Sequence, residues 1–237
     1  MSTSEPVPGL HRIPLMGGFV AAYLLAHDGE LTLVDTGPPG SLPAIEDGAR
    51  AAGLDVGDVT RIVVTHAHAD HSGAAAAVRE RTGAPILMSA ADARLIASGW
   101  SSRGVTVLPG QEDTLPLPPG VTAEMLAQPA PIEPFVVDTE LAEGSVPGVT
   151  DLEAIATPGH CEGQMSLLWR RQGGVLVCGD AAGNFDALAI AAVGEDFDVA
   201  RGSARRLAAR DFEVAVFGHG EPLTEGASAQ FRATFSH

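Results

Sequence analysis

Apolar residues run almost unbroken over 19–26 (FVAAYLLA) and return over Leu31–Val34 after the polar turn Asp28-Gly29. With residues 10–15 before them and a turn at Gly17-Gly18, they predict an antiparallel beginning. The period then lengthens. Ser41 stands as an N-cap for a helix to Ala52, closed by Gly53, and Arg61–Thr65 reads as a short buried strand. An alanine-rich helix is expected from Asp70 to Thr82, stopped by Gly83, then a strand over Pro85–Met88 and a helix over Ala90–Ser98.

Residues 100–150 are rich in Pro and Gly, with one strand expected at Val121–Leu126. So long an irregular stretch reads as a lid or a surface excursion. Trp100, Met125 and Phe135 are its candidate apolar contacts, though each also fits a core role. Strands follow at Leu152–Ala156, Met165–Trp169, Val175–Cys178 and Glu213–Phe217, with helices over Asp198–Arg210 and Ala227–Phe235. The alternation predicts an α/β layered fold, and its order allows two similar halves.

Length and composition narrow the class. The 237 residues fit one domain, 1–237, with an ordinary globular composition. The formal net charge is −16, and all 14 basic residues are arginine. The largest basic group is Arg205-Arg206 with Arg201 and Arg210 nearby, which reads as a solvated helix face, so nucleic acid is not an expected partner. Two cysteines, Cys161 and Cys178, in a chain this long predict a reduced, cytoplasmic protein. The opening MSTSEPVPGLHR lacks the pattern of a signal peptide, and no segment approaches twenty apolar residues, so no membrane association is expected.

The chemistry concentrates in Thr65-His66-Ala67-His68-Ala69-Asp70-His71-Ser72-Gly73, directly after a buried strand. Histidines at i and i+2 in an extended loop can converge on one ion, and Asp70 and His71 can turn toward a second. Eight histidines in the whole chain rarely place three within six positions by chance. His11, His27 and His237 have no such neighbours and read as ordinary surface or core residues.

The His-x-His-x-Asp-His run resembles the signature of the metallo-β-lactamase superfamily. Val34-Asp35-Thr36-Gly37, Thr157-Pro158-Gly159-His160, Cys178-Gly179-Asp180 and Phe217-Gly218-His219-Gly220 resemble the family's other motifs, in order along nearly the whole chain. The resemblance implies an αββα sandwich with a site at one edge of two sheets. It implies two divalent metal ions, zinc in the first place with iron or manganese as alternatives. His66, His68 and His160 would hold the first ion, Asp70, His71 and His219 the second, and Asp180 would bridge them. Asp35 would buttress the site from behind the ligands. Two divalent ions, two aspartates and a bridging hydroxide leave a charge of about +1, suited to an oxyanion developing on a carbonyl. Asp70 is the candidate to orient that hydroxide and return its proton to the leaving group. Cys161 stands where many relatives carry threonine; it reads as a packed thiol beside the site, with a soft ligand as the alternative, and Cys178 as core.

Asp180 is similar to the bridging residue of the glyoxalase II and lactonase branch. The expected reaction is therefore attack on the carbonyl of a small ester, lactone or thioester, with a mononuclear-iron persulfide dioxygenase or a β-lactam hydrolase as alternatives. Two features separate this chain from the better-known members. The sequence ends 18 residues after His219, without the helical domain of glyoxalase II, and Gly183 stands where many lactonases carry tyrosine.

Overall fold

Strand Val20–His27 sets the architecture, because its two faces belong to two different cores. Val20, Ala22 and Leu24 pack toward helices, while Ala21, Tyr23 and Leu25 pack toward a second sheet. That two-sided burial is why residues 19–26 are apolar at every position. The computed structural model describes residues 2–111 and 120–236.

Among the described residues a seven-stranded sheet runs in the spatial order Ser4–Val7, Leu10–Leu15, Val20–His27, Glu30–Val34, Val59–Val63, Ile86–Ser89, Thr139–Leu141. Its first four strands are antiparallel and the rest parallel. A five-stranded sheet follows as Gly144–Ser145, Leu152–Ala156, Met165–Trp169, Val175–Val177, Val214–Val216, again antiparallel until a final parallel pair. Each half thus closes with a helical crossover into a parallel strand, through Leu42–Ala51 in the first and Phe197–Ala208 in the second. The sheets pack face to face over Tyr23, Leu25, Val63, Leu167, Trp169 and Val177. Outside them, one helical layer covers Ile13, Leu33 and Ile62, and another covers Leu168, Leu176 and Phe217. The expected αββα sandwich is the observed fold.

Several local expectations need correction. Val121–Leu126 is not a strand. Thr122 accepts a bond from Met125 N–H and caps the short helix Ala123–Leu126. The helix expected over Asp70–Thr82 is two, Ala69–Ser72 and Ala75–Thr82. It breaks at Gly73, where a Cβ would lie 2.3 Å from both the Ala69 carbonyl oxygen and Pro39 Cδ. Ser41 stands at the start of its helix but makes no side-chain cap bond, and only its carbonyl accepts Ile45 N–H. Gly83 does end its helix, in the left-handed conformation, φ 72°. Ser4–Val7 and Thr139–Leu141 join the first sheet without having been anticipated.

Candidate metal centre

The loop after strand Val59–Val63 is held from both sides. Asp35 accepts bonds from Thr65 N–H (2.8 Å) and Thr65 Oγ1–H (2.9 Å), and its Oδ2 lies 2.9 Å from His71 Nδ1. Asp35 takes a left-handed backbone, φ 59°, which a non-glycine residue holds only when its surroundings insist. It thereby fixes His71 with Nε2 pointing into the site. Farther along, Ala67 N–H donates to the buried Asp92 carboxylate (2.8 Å), and Ser72 Oγ–H donates to the Ala67 carbonyl (2.7 Å). Clamping the peptide between His66 and His68 lets both rings converge.

The C-terminal half supplies the rest. His160 Nδ1–H donates to the Val193 carbonyl (2.8 Å) and His219 Nδ1–H to the Phe19 carbonyl (2.7 Å), so each turns Nε2 inward. Tyr23 Oη–H donates to the Phe217 carbonyl (2.7 Å), and Ala21 N–H to the Gly218 carbonyl (3.0 Å), which pins the His219 strand end to the first sheet. Asp180 leaves Val175–Val177 with its carboxylate between the two groups of histidines. Its Oδ1 is 3.4 Å from His71 Nε2, and its Oδ2 is 3.4 Å from His160 Nε2 and 3.2 Å from His219 Nε2.

All seven residues expected to bind metal thus meet in one place. Among the described residues the ligand atoms of three sets lie within 4.8 Å of one another: His66, His68 and His160; His66, His71 and Asp180; Asp70, His71 and His219. Neighbouring donors such as His71 Nε2 and His219 Nε2 (3.3 Å), or His219 Nε2 and Asp70 Oδ2 (3.3 Å), are spaced as on a shared ion, since two atoms bound tetrahedrally at about 2.0–2.1 Å are about 3.3 Å apart. His66 Nε2 and Asp180 Oδ1 are buried without a hydrogen-bond partner. Buried polar atoms left so are costly unless something binds them. Imidazole and carboxylate donors in this arrangement fit divalent metal ions.

Electrostatics agree. Burial opposes charge on His71 and His219, but Asp180 and Asp70 override it, raising His71 well above the usual value and His219 to about 10. Burial and the neighbouring histidines hold His66 well below its usual value and His68 down at about 3. Against burial, His219 and His71 hold Asp180 far down as a carboxylate.

The residues around the centre divide between core and cavity. Cys161 is a buried thiol, 3.6 Å from Asp92 Oδ2, and belongs to none of the three sets, in keeping with the packed-thiol reading. Phe135 packs against the helix-side core, and Trp100 is absent from the cavity lining. Met125 does line the cavity over the site, with described parts of 100–150 forming one wall. His11 and His27 are buried away from the centre, and His237 lies outside the described residues. Asp92, Phe19 and Val193 were not anticipated. The last two act through backbone carbonyls, which side-chain identity does not report; Asp92 sits in an expected helix, and only its burial marks it out.

A layered αββα frame with a histidine–aspartate cluster at the sheet edges defines a metallohydrolase class. The family model described as "Metallo-beta-lactamase superfamily" matches residues 15–219, and the chain belongs to that superfamily. It is similar to the "Probable metallo-hydrolase YflN" of Bacillus subtilis, 29% identical over 93% of this chain and 87% of that protein. The "Uncharacterized protein YobT" of the same organism is 31% identical over 68% of this chain and 61% of its own. Among solved structures, a beta-lactamase from Chitinophaga pinensis has TM-score 0.71 at 20% identity, covering all of this chain and 90% of that one. A metallo-beta-lactamase from Cronobacter sakazakii has TM-score 0.68 at 23% identity, covering 92% and 81%. The protein is a metal-dependent hydrolase of this superfamily.

Proposed function

We propose that the protein hydrolyses a small ester, lactone or thioester, using two divalent ions, zinc in the first place. The observation that carries this is the set of seven converging donors, with partnerless buried atoms, at the floor of an apolar cavity. His66, His68 and His160 would hold one ion and Asp70, His71 and His219 the other, with Asp180 available to both. When bound, such ions polarise a carbonyl and bring the pKa of a water to about 7.

The chain's own residues do the rest. Asp70 is the more exposed of the two site carboxylates, its side chain 33% accessible against 7% for Asp180, and it faces the cavity. Asp70 accepts a proton from the attacking water and returns it to the departing oxygen or sulfur. The new bond joins the water oxygen to the carbonyl carbon, and the C–O or C–S bond breaks. Asp35 holds His71 in one tautomer, and the apolar walls exclude bulk water. On this reading residues 1–237 act as one catalytic domain. Two buried free cysteines support a reduced, cytoplasmic setting. The folds of the Chitinophaga and Cronobacter enzymes make β-lactam hydrolysis the second reading.

The test is elemental analysis of the purified protein with a screen of esters, lactones, thioesters and β-lactams. Two ions per chain and turnover of an acyl substrate are expected. One iron, no second metal, and oxygen consumption with glutathione persulfide would replace the hydrolase by a dioxygenase.

A further inference from the structure

The ligand cluster lies between two hollows, and among the described residues no arginine or lysine lines either. The first, about 360 Å³, is walled by Met16, Val105, Val121, Met125 and Leu126 and opens over His68, Asp70 and His160. The second, about 510 Å³, is walled by Phe185, Ala187, Ala189, Ile190 and Ala192. Phe19, Val193, Asp180 and His219 line both, so the hollows meet at the ligands. Phe19 packs on the His219 ring at 4.7 Å between centroids, with Phe185 at 6.3 Å on that ring.

Beyond the ligands, the polar groups in these walls among the described residues are Ser101, Ser102 and Gln128 on one side and Gln111 and Asp186 on the other. None of the chain's 14 arginines lines either hollow, there is no lysine, and the stretch 112–119 (EDTLPLPP) contains no basic residue. Arg103 stands in sequence between lining residues Ser102 and Val105, yet it pairs with Glu162 (3.2 Å), Glu195 (3.5 Å) and Asp92 (3.8 Å). Arg12, beside the His219 loop, is spent on the Gly220 carbonyl (3.1 Å) and Glu221 (3.3 Å). A substrate carboxylate seated along either wall would lose its hydration and find no counter-charge. The net charge of −16 would repel it during approach as well.

We infer that the substrate is an uncharged acyl compound with apolar groups on both sides of the scissile bond, and that the two walls reject compounds carrying a carboxylate. This rests on the acyl-hydrolase reading and sharpens it. It predicts that anionic acyl compounds are poor substrates.

The test uses matched pairs on the zinc-loaded protein. Turnover is compared for 4-nitrophenyl hexanoate and mono(4-nitrophenyl) adipate, which differ by a terminal carboxylate. Binding is compared by calorimetry for hexanohydroxamic acid and the monohydroxamate of adipic acid. The neutral member is expected to lead by about tenfold or more in both kcat/KM and affinity. Met125→Arg, at a wall position 59% exposed, is expected to narrow both gaps. Equal or better handling of the carboxylated members, or no hydroxamate binding at all, overturns the inference. Selective binding of the neutral hydroxamate with no ester turnover leaves the inference standing and removes the hydrolase reading instead.

Discussion

At the scale of single residues, the centre depends on side chains that each have one task and little freedom. Asp180 is the clearest case, because its two oxygens face different histidines. Asp180→Ala is expected to lower metal content from two ions toward one per chain and to reduce turnover by more than about a hundredfold, with the fold retained. Full occupancy with unchanged turnover would show that Asp180 does not join the two sites. Asp92 works behind the ligands, and burial pushes its carboxyl up from 3.8 to about 6 against the opposing bond from Ala67 N–H and the Arg103 charge. The folded protein therefore binds this proton more tightly than the unfolded chain does. The associated stability is complete below about pH 4 and is lost as pH rises through about 6. Asp92→Asn keeps an acceptor for Ala67 and removes the charge. Relative to wild type, the metal-free variant should gain stability between about pH 5 and about pH 8, by at most about 3 kcal/mol. Urea unfolding at both pH values measures this, and a constant difference would mean that Asp92 is not the group that titrates.

At the scale of elements, the site is made by what happens where strands end. Gly218 follows the end of strand Val214–Val216, and a Cβ there would lie 2.2 Å from Asp180 Oδ1 and 2.6 Å from His71 Cε1. Gly218→Ala should leave both sheets folded while displacing Asp180 or His71, at a cost of about 1–3 kcal/mol and a loss of zinc affinity of about tenfold or more. Unchanged zinc affinity would mean that the loop yields without moving either ligand. The same strand ends explain what could be read from sequence. Strands such as Val175–Val177, all three residues buried, announce themselves by unbroken apolar runs. The seven residues that meet at the candidate centre were visible as short motifs, which survive as local patterns where strands end. Thr139–Leu141 did not, since three residues with one buried side chain are a strand only through pairing in register with Leu87, Met88 and Ser89 about fifty positions earlier. Val121–Leu126 misled because its apolar residues suggested a strand, whereas the Thr122 cap decides for a helical turn. Gly73 is required where Pro39 packs close to its backbone, a contact between distant segments that no window around residue 73 contains.

At the scale of the whole molecule, the residues proposed to bind metal are divided between the two halves of the sandwich. His66, His68, Asp70 and His71 belong to the first half, and His160, Asp180 and His219 to the second. Protein contacts already join the halves at this edge, through Tyr23 to Phe217 and Ala21 to Gly218. An ion held by donors from both halves adds a cross-link that the unfolded chain cannot form. Without it the buried His66 Nε2 and Asp180 Oδ1 lack a hydrogen-bond partner, and the like-charged carboxylates of Asp70 and Asp180 must be offset by the neighbouring histidines His71, His160 and His219. Removing the metal with a chelator should therefore lower the thermal midpoint of the entire domain in one transition, rather than loosen one half. Restoring zinc should raise stability by about 1.4 kcal/mol per bound ion for each tenfold increase in free ion above that ion's dissociation constant. Asp180→Ala should retain the chelated protein's midpoint approximately and lose about half of the zinc-dependent rise. Calorimetric scans of both proteins across a buffered zinc series make the comparison. A midpoint that ignores zinc in the wild type would show that the ligands do not bind ions across the two halves.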